Sequence, residues 1–471
     1  MTVTTACGAG RTTGRVRRRP RRRASLVGAA VTALVTLTGV GCAPQASSGA
    51  GDRTISYWLW DANQLPAYQA CARAFERQNP GLRVDITQIG WEFYWTKLTA
   101  SFIAGTEPDV FTNHVTQFPQ FVDLGVLQPL DELGPTRHLR DDDYQPGLAR
   151  LWRGRDGHRY GAPKDWDTVA LYYDRKLTRA AGISDREMNT LDWNPRDGGS
   201  FERVLARLTV DAKGRHGDEP GFDRNRVVRY GLATNGAGEE DGQTTWSPFT
   251  GSNNWHYTDR NPWGTRYNYD RKEFKEAVGW YFGLAEKGYM PPLEEFSSET
   301  NTPDRQLGSG KAAIALHGSW MLSTFTKLKG VDLGIAATPI GPSGQRASLM
   351  GGLADSITRN ADNKEAAGKW VAFLASDACQ ELVGRDATVF PATPRGTELA
   401  ISTLRRQGVD VTPFTRHVEE GTTFSFPITE YAADITAIMK PVMEDIYGNG
   451  ADLSVLDRAN DQVNFLLGQD D

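Results

Sequence analysis

Residues 160–177 (YGAPKDWDTVALYYDRKL) hold the side chains best suited to chemistry, because Asp165 and Asp167 flank Trp166. Two carboxylates can serve as the acid and base of a glycosidase, but they must then stand on opposite sides of the scissile bond, roughly 5 to 9 Å apart. If the segment is a strand, residues two apart point to one face, so both carboxylates lie on one side and the indole on the other. This favours two hydrogen-bond acceptors over a catalytic pair. A partner carboxylate elsewhere, or simple solvation of either aspartate, remains an alternative.

The sequence lacks the motifs of common nucleophile, phosphate and metal sites. GPSG (341–344) has the wrong spacing for a serine hydrolase. LGSGKA (307–312) is not a phosphate-binding loop, because no glycine stands five residues before Gly310 and Ala312 replaces the required Ser or Thr. The seven histidines are scattered, with no HExxH, and the sequence has no CxxC. We therefore predict no catalytic residue, no metal site and no cofactor.

Tryptophans beside polar residues favour carbohydrate binding. All 13 tryptophans follow residue 57, and several stand next to Asp, Asn, Glu or Ser in loops. Indole rings stack on the apolar face of a sugar, while polar neighbours bind its hydroxyls. Trp60 and Trp320 stand out because each ends a predicted strand at a turn, where ligands of open α/β sheets bind. Each tryptophan taken alone could instead be a packing residue.

Length and charge narrow the class of protein. The 471 residues are enough for two or three domains. The first 41 residues hold eight arginines and no acidic residue; subtracting these from the 53 basic residues leaves 45 against 58 acidic ones, a net charge of about −13. A body this acidic is a poor nucleic-acid binder, so we exclude nucleic acid as a partner.

The N-terminus resembles a bacterial export signal that ends in a lipidation site. Arginines lead into an apolar stretch of 18 residues (24–41), and Cys42 follows directly. We predict a signal peptide at 1–41 and a lipidated tether at 42–53. Gly39 departs from the Leu preferred three positions before the lipidated cysteine, so soluble secretion stays open. Arg22 and Arg23 also resemble a twin-arginine signal, which leaves the export route open.

Two cysteines, Cys71 and Cys379, remain after the one in the leader and the proposed lipid site. Outside the cytoplasm they could form a disulfide. Both stand in helix-like stretches with apolar neighbours, so two buried thiols are an equal alternative.

Strand and helix patterns alternate along the first hundred residues of the mature chain. We predict strands at 54–60 and 82–89 and helices at 64–78 and 91–104, followed by a short strand at 109–111. This order is typical of a parallel, doubly wound sheet, and the fold class is α/β. Helices are predicted again at 365–376, 429–446 and 452–467.

The order of these segments resembles the extracellular solute-binding proteins of ABC transporters, in the carbohydrate-binding group that includes maltose-binding protein. The resemblance spans nearly all of 54–468 and rests on several short motifs read in order. They are ISYWLWD, FERQNPGLRVDI, WTKLTASFIAGTEPDVF, GVLQPLDEL, YGAPKDWDTVALYYDRKL, GKAAIALHGSW, IAATPIGPSGQR and EAAGKWVAFLASDACQELV.

The resemblance implies a two-lobed periplasmic-binding-protein-like fold with a multi-crossing hinge and an interlobe cleft. Residues 54–166 and 336–385 would form lobe 1, and residues 167–335 and 386–471 would form lobe 2. It also implies a set of residues that contact the sugar in the cleft. Two of them, Trp246 and Trp255 in the loops, match the family least specifically. This set is Trp60, Asp61, Asn113, His114, Asp165, Trp166, Asp167, Trp246, Trp255 and Trp320.

The implied function is capture of a sugar or oligosaccharide and its delivery to the permease of an ABC importer, without catalysis. The protein would be a monomer on the outer face of the bacterial cell membrane, with the permease subunits and, through the lipid on Cys42, the membrane as partners. A secreted glycan-active hydrolase and a solute-binding sensor or adhesin lipoprotein are the alternatives.

Overall fold

The structure, a computed structural model, describes residues 53–296 and 301–468. The chain divides into two units, residues 1–49 and 50–471, and the described residues belong to the second unit. The predicted signal peptide (1–41), Cys42 and residues 43–52 of the predicted tether therefore lie outside the described residues. In the described part of the chain, no helix combines the length and apolar character needed to cross a membrane.

The described residues form an α/β arrangement of strands and helices. The strands are β1 (Thr54–Leu59), β2 (Arg83–Gln88), β3 (Val110–His114), β4 (Ala162–Pro163), β5 (Asp165–Trp166), β6 (Val169–Asp174), β7 (Val210–Asp211), β8 (Val227–Leu232), β9 (Ala312–Gly318), β10 (Leu333–Ala336), β11 (Ser348–Met350), β12 (Leu353–Ile357), β13 (Phe390–Pro391) and β14 (Thr423–Ser425). The helices are α1 (Leu65–Gln78), α2 (Trp91–Ala104), α3 (Phe118–Asp123), α4 (Arg175–Ala180), α5 (Asp185–Met188), α6 (Gly199–Leu208), α7 (Ser247–Ser252), α8 (Lys272–Glu286), α9 (Leu293–Phe296), α10 (Pro303–Gly308), α11 (Leu322–Phe325), α12 (Lys364–Leu374), α13 (Asp377–Asp386), α14 (Pro394–Arg406), α15 (Thr412–Glu419), α16 (Ala432–Asn449) and α17 (Val455–Leu467). Short 3₁₀ helices lie at Leu130–Glu132, Asp141–Asp143, Ala149–Trp152 and Ser319–Met321.

The first sheet has the strand order β2-β1-β3-β12-β4. β1 pairs parallel with β2 and β3, and β12 is antiparallel to β3. Alternate residues of β1 (Ile55, Tyr57 and Leu59) are buried, which is the period-2 pattern of a strand. The predicted parallel arrangement is confirmed for β1 to β3, so the carboxyl ends of these three strands lie at one edge of the sheet.

The second sheet has the order β10-β6-β9-β8-β7 and is antiparallel in three of its four pairings. Its central strands β6 and β9 are buried at every residue, because neighbouring elements cover both faces. The second sheet thus departs from the parallel, doubly wound pattern that the first hundred residues of the mature chain predict.

The chain passes between the two sheets more than once. It leaves the first sheet after β4, runs through β5 and enters the second sheet at β6; it returns from β10 to β12. Two small ribbons, β5 with β13 and β11 with β14, lie along these passages. The exact lobe boundaries remain a prediction. Within 386–471, α14 packs on α13 of the predicted first lobe.

The C-terminal helices match the sequence pattern. The predicted helices at 365–376, 429–446 and 452–467 correspond to α12, α16 and α17 with ends shifted by at most three residues. Their apolar residues recur at helical spacing and are buried, as in Leu456, Ala459 and Val463 of α17.

A disulfide joins Cys71 of α1 to Cys379 of α13. The buried face of α1 includes Tyr68, Cys71 and Phe75, which recur at helical spacing and bring the thiol against α13. Both cysteines are fully buried. The structure thus selects the disulfide over two separate thiols.

Removing the disulfide should destabilise the protein. It links residues 308 positions apart. A disulfide that closes a long loop lowers the entropy of the unfolded chain and can thereby stabilise the folded state by up to about 5 kcal/mol. We expect the double variant Cys71→Ala/Cys379→Ala to unfold at a lower urea concentration than wild type. Unfolding is measured by tryptophan fluorescence in the absence of reductant. Reductant should lower the wild-type midpoint and leave that of the double variant unchanged. Equal midpoints without reductant would contradict a stabilising role.

Candidate functional site

A cavity of about 830 Å³ is bordered by elements of both sheets. The first sheet contributes Trp60 and Asp61, which follow β1, and His114, which ends β3. The second sheet contributes the loop 235–244 after β8 and Trp320 after β9. Carboxyl ends of strands are where open α/β sheets bind ligands, and a cavity of this volume suits a small molecule.

Most of the residues predicted from sequence come together in this cavity. Seven of the ten predicted residues line the cavity: Trp60, Asp61, His114, Asp165, Trp166, Asp167 and Trp320. These residues lie up to 260 positions apart in the sequence, so the fold alone makes them neighbours.

Three predicted residues, Asn113, Trp246 and Trp255, lie outside the cavity wall, and their contact with a ligand stays a prediction. Asn113 is fully buried in β3 and donates to Ser356 Oγ (3.2 Å). The indole N–H of Trp246 donates to the Ala237 carbonyl (3.1 Å), and that of Trp255 donates to the Asn268 carbonyl (2.7 Å). Both rings are buried in an aromatic cluster with Phe274, which explains why a tryptophan in a polar loop need not face a ligand.

Sequence reasoning missed part of the wall. Trp91 and Trp95, one turn apart at the start of α2, extend the aromatic surface around Trp60, with ring centroids 5.2 and 5.3 Å from its own. The loop 235–244 (NGAGEEDGQT) contributes Glu240, Asp241 and Gln243. A glycine-rich run that also carries three acids was the signal that could have identified this loop.

Trp320 takes its position because residue 318 is a glycine. A Cβ on Gly318 would lie 1.7 Å from the Trp320 ring, so only glycine lets the indole fold back over the end of β9. The ring is half-buried and lies edge-on to His317, with centroids 5.4 Å apart.

The Asp165–Asp167 segment is held against the backbone between β11 and β12. Asp165 Oδ1 accepts from the Leu353 N–H (2.8 Å). Asp167 Oδ1 accepts from the Gly351 N–H (3.3 Å) and from the side-chain amide of Gln243 (2.8 Å). The approach is close, since a Cβ on Gly352 would lie 2.6 Å from the Asp165 carbonyl oxygen.

Trp166 points away from its two acidic neighbours. Its ring stacks on Phe390, with centroids 4.8 Å apart, and its indole N–H donates to Thr397 Oγ1 (2.9 Å). The residue borders the cavity but is only 2% exposed. Trp166 therefore anchors the segment, while Trp60 and Trp320 offer more accessible ring surface.

Behind the segment, the ammonium of Lys164 is buried in the first sheet. It donates to Tyr57 Oη (3.0 Å) and Thr112 Oγ1 (2.9 Å) and lies 3.9 Å from Asp355 Oδ1. It also lies 3.8 Å from the ring centroid of Tyr68, a cation–π contact. Burial lowers the pKa of Lys164.

The carboxyl groups facing the cavity are strongly perturbed. Burial raises the pKa of Asp165 to about 7, an effect that the charge of Lys164 partly opposes. Burial, reinforced by the charge of Asp165, raises the pKa of Asp167 to about 8. Burial also lowers the pKa of His114 and of His317 to about 4, so both imidazoles are neutral at pH 7.

The arrangement suits binding. Asp165 and Asp167 both accept from the backbone of 351–353, so they lie on one side of the segment, whereas a glycosidase needs carboxylates on opposite sides of the bond. Within residues 53–296 and 301–468, no group of three or more His, Cys, Asp or Glu side chains is placed to hold a metal ion.

The fold and the cavity define a two-lobed α/β binding protein of the periplasmic type. Residues 61–381 match the model of the bacterial extracellular solute-binding protein family, and the chain belongs to this family. It is thus a binding protein and not an enzyme, as its sequence predicted, and its named relatives are binding proteins as well.

Two known relatives and one solved structure illustrate the similarity. The chain is 24% identical over 297 residues to the maltodextrin-binding protein MdxE of Bacillus subtilis, covering 61% of each chain. It is 23% identical over 333 residues to a maltooligosaccharide ABC transporter solute-binding lipoprotein of Streptococcus pneumoniae, covering 70% of each. The ABC substrate-binding protein Lmo0181 of Listeria monocytogenes, solved in complex with cycloalternan, has the same fold, with a TM-score of 0.73 at 19% identity over 88% of this chain and 99% of that one.

The raised pKa values of Asp165 and Asp167 predict how stability depends on pH. Because the folded pKa values (about 7 and about 8) exceed the ordinary value of 3.8, the folded state holds more protons, and stability falls as pH rises through this window. We expect the thermal midpoint of the ligand-free protein to drop as the pH rises from about 4 to about 8 and to level off above the folded pKa values.

The double variant Asp165→Asn/Asp167→Asn should show a flatter profile over that range, since it no longer titrates there. Asp142→Asn, at an exposed position outside the cavity, serves as the matched control and should keep the wild-type slope. A double variant with the wild-type slope would show that these two groups do not titrate in this window.

Proposed function

We propose that this protein is the extracytoplasmic, lipid-anchored substrate-binding component of an ABC importer that captures a saccharide in the cavity and delivers it to the membrane permease. The observation that carries the proposal is the pairing, in one cavity, of accessible indole rings (Trp60, Trp91 and Trp320) with two carboxyl acceptors, the buried Asp165 and the half-buried Asp167. Indole faces match the apolar face of a sugar ring and carboxylates match its hydroxyls. The relatives named for maltodextrin and maltooligosaccharides support the same class of ligand.

The geometry supports ligand-driven closure. Trp60, Asp61 and His114 approach the cavity from the first sheet, whereas the loop 235–244 and Trp320 approach from the second. A ligand that contacts both groups binds the closed arrangement more tightly than the open one and shifts the population toward it. The closed form is the form that a permease would recognise.

A hydrogen bond between Gln243 and Asp167 connects the loop after β8 to the segment that joins the two sheets. Gln243 belongs to the loop after β8, and Asp167 belongs to the segment that joins the sheets. Its donor–acceptor distance is 2.8 Å. A sugar hydroxyl bound beside it would contact both sides at once.

Trp60→Ala and Trp320→Ala should each weaken saccharide binding. Loss of one stacking surface costs a few kcal/mol at most, so we expect the Kd to rise roughly tenfold to a hundredfold in calorimetric titrations with an oligosaccharide selected from a glycan panel. Trp58→Ala is the matched control, because Trp58 is also half-buried on β1 but lies outside the cavity wall.

The same titrations test the proposal as a whole. The sugar should be recovered intact after incubation with the wild type. New reducing ends would contradict a binding role, and equal losses of affinity in the Trp58 and Trp60 variants would contradict the assignment of the site.

Cys42→Ala should release the protein from the membrane. If Cys42 carries the lipid, its replacement removes the acyl chains that hold the chain at the surface. We expect the wild type to sediment with the membrane fraction and to incorporate labelled palmitate, and the variant to appear unlabelled in the medium. Cys7→Ala, in the predicted leader, is the control and should leave both properties unchanged. A labelled, membrane-bound Cys42 variant would show that another residue anchors the chain.

A further inference from the structure

The cavity wall holds far more acidic than basic side chains. Among its described residues, seven are carboxylic acids and one is a lysine, and no arginine is present. The lysine, Lys440, already pairs with Glu239 at 3.0 Å. Both histidines of the wall are neutral at pH 7, because burial lowers their pKa values to about 4. Most of these acidic side chains therefore have no basic partner among the described wall residues when they ionise.

Asp165 carries an acceptor that the protein leaves unmatched. The residue forms part of the cavity wall and is only 3% exposed. Its Oδ1 accepts from Leu353, but its Oδ2 is buried without any hydrogen-bond partner. A buried acceptor without a donor costs about 1–3 kcal/mol, and more when it is charged. A donor brought by a ligand would remove this cost.

The acidic residues near Asp165 also favour a positively charged ligand. Asp167 is two residues from Asp165, and its pKa is raised in part by the charge of that neighbour. In the loop 235–244, burial raises the pKa of Glu240 to about 7, and burial together with the charge of Glu240 raises that of Asp241. Sugar hydroxyls can donate hydrogen bonds to these carboxyl groups but cannot balance the charge of their ionised form. A protonated amine can donate hydrogen bonds and also balance that charge, since an opposite charge nearby favours the ionised carboxylate.

The aromatic part of the wall is compatible with a cation. Trp60, Trp91 and Trp95 lie within 5.6 Å of one another by ring centroids, next to Asp61. Indole faces attract ammonium groups as well as sugar rings. An anionic ligand such as a sugar phosphate is disfavoured, because it would meet the carboxylates without a free lysine or arginine to bind it.

We propose that the ligand is a saccharide that carries a protonated amine, and that this amine donates to the carboxylates of Asp165 and Asp167. The proposal rests on the proposed function, because it specifies the class of saccharide that the same cavity binds. The hydroxyls of the ligand bind the remaining acceptors and its rings stack on the tryptophans. Discrimination against neutral sugars then comes from charge, and discrimination against phosphorylated sugars comes from repulsion.

The first experiment compares amine-bearing and neutral sugars of the same skeleton. The purified mature protein is titrated calorimetrically with glucosamine and chitosan oligosaccharides as amine probes. Glucose and cello-oligosaccharides are the hydroxyl counterparts, N-acetylated chito-oligosaccharides are the neutral amide counterparts, and malto-oligosaccharides are a further neutral sugar. We expect an amine probe to bind at least tenfold more tightly than its neutral counterparts, and added salt to weaken its binding.

The second experiment uses Asp165→Asn and Asp167→Asn, which keep the size of each side chain and remove its charge. Each variant should lose at least about tenfold more affinity for the amine probe than for a neutral sugar, because both ligands lose an acceptor but only the amine loses a charged partner. Asp142→Asn, exposed and outside the cavity, is the matched control. Thermal midpoints at pH 6 establish that each variant is folded.

The outcomes separate this inference from the proposed function. Tight binding of neutral sugars with no preference for the amine overturns the inference and leaves the proposed function in place. Equal losses for amine and neutral probes in the Asn variants also overturn it, because charge would then play no part. Failure of every sugar in the panel to bind the folded protein overturns both.

Discussion

The ammonium group of Lys164 ties together the part of the fold from which the candidate site is built. Its partners belong to β1 (Tyr57), β3 (Thr112) and β12 (Asp355). A buried cation without such partners would cost several kcal/mol, so these strands must keep one register around it. Asp165 follows directly in the chain, and its position in the cavity wall therefore depends on where this one side chain is held.

Charge is distributed unevenly across this segment. The positive group lies behind it, inside the first sheet, and the negative groups lie in front of it, in the cavity. The Lys164 charge partly offsets the effect of burial on the pKa of Asp165, whereas the charge of Asp165 adds to the effect of burial on the pKa of Asp167.

Much of the fold could be predicted from sequence because its signals are local. Alternation in β1 and helical spacing in α17 identify those elements directly. The site was harder, because a tryptophan beside polar residues has the same sequence pattern whether it lines a cavity, as Trp320 does, or packs in a core, as Trp255 does. The pairing of Cys71 with Cys379 and the approach of the loop 235–244 depend on distances across the fold, which no local pattern contains.

The link between Cys71 and Cys379 also changes how the chain carries force. Every strand of the second sheet lies between these two residues in the sequence, so the whole sheet is a covalently closed branch of the polypeptide. Tension applied at the two ends of the chain passes through the sulfur–sulfur bond and bypasses that branch. A body tethered at its N-terminus could therefore be pulled without straining the strands that carry Trp320 and the loop 235–244.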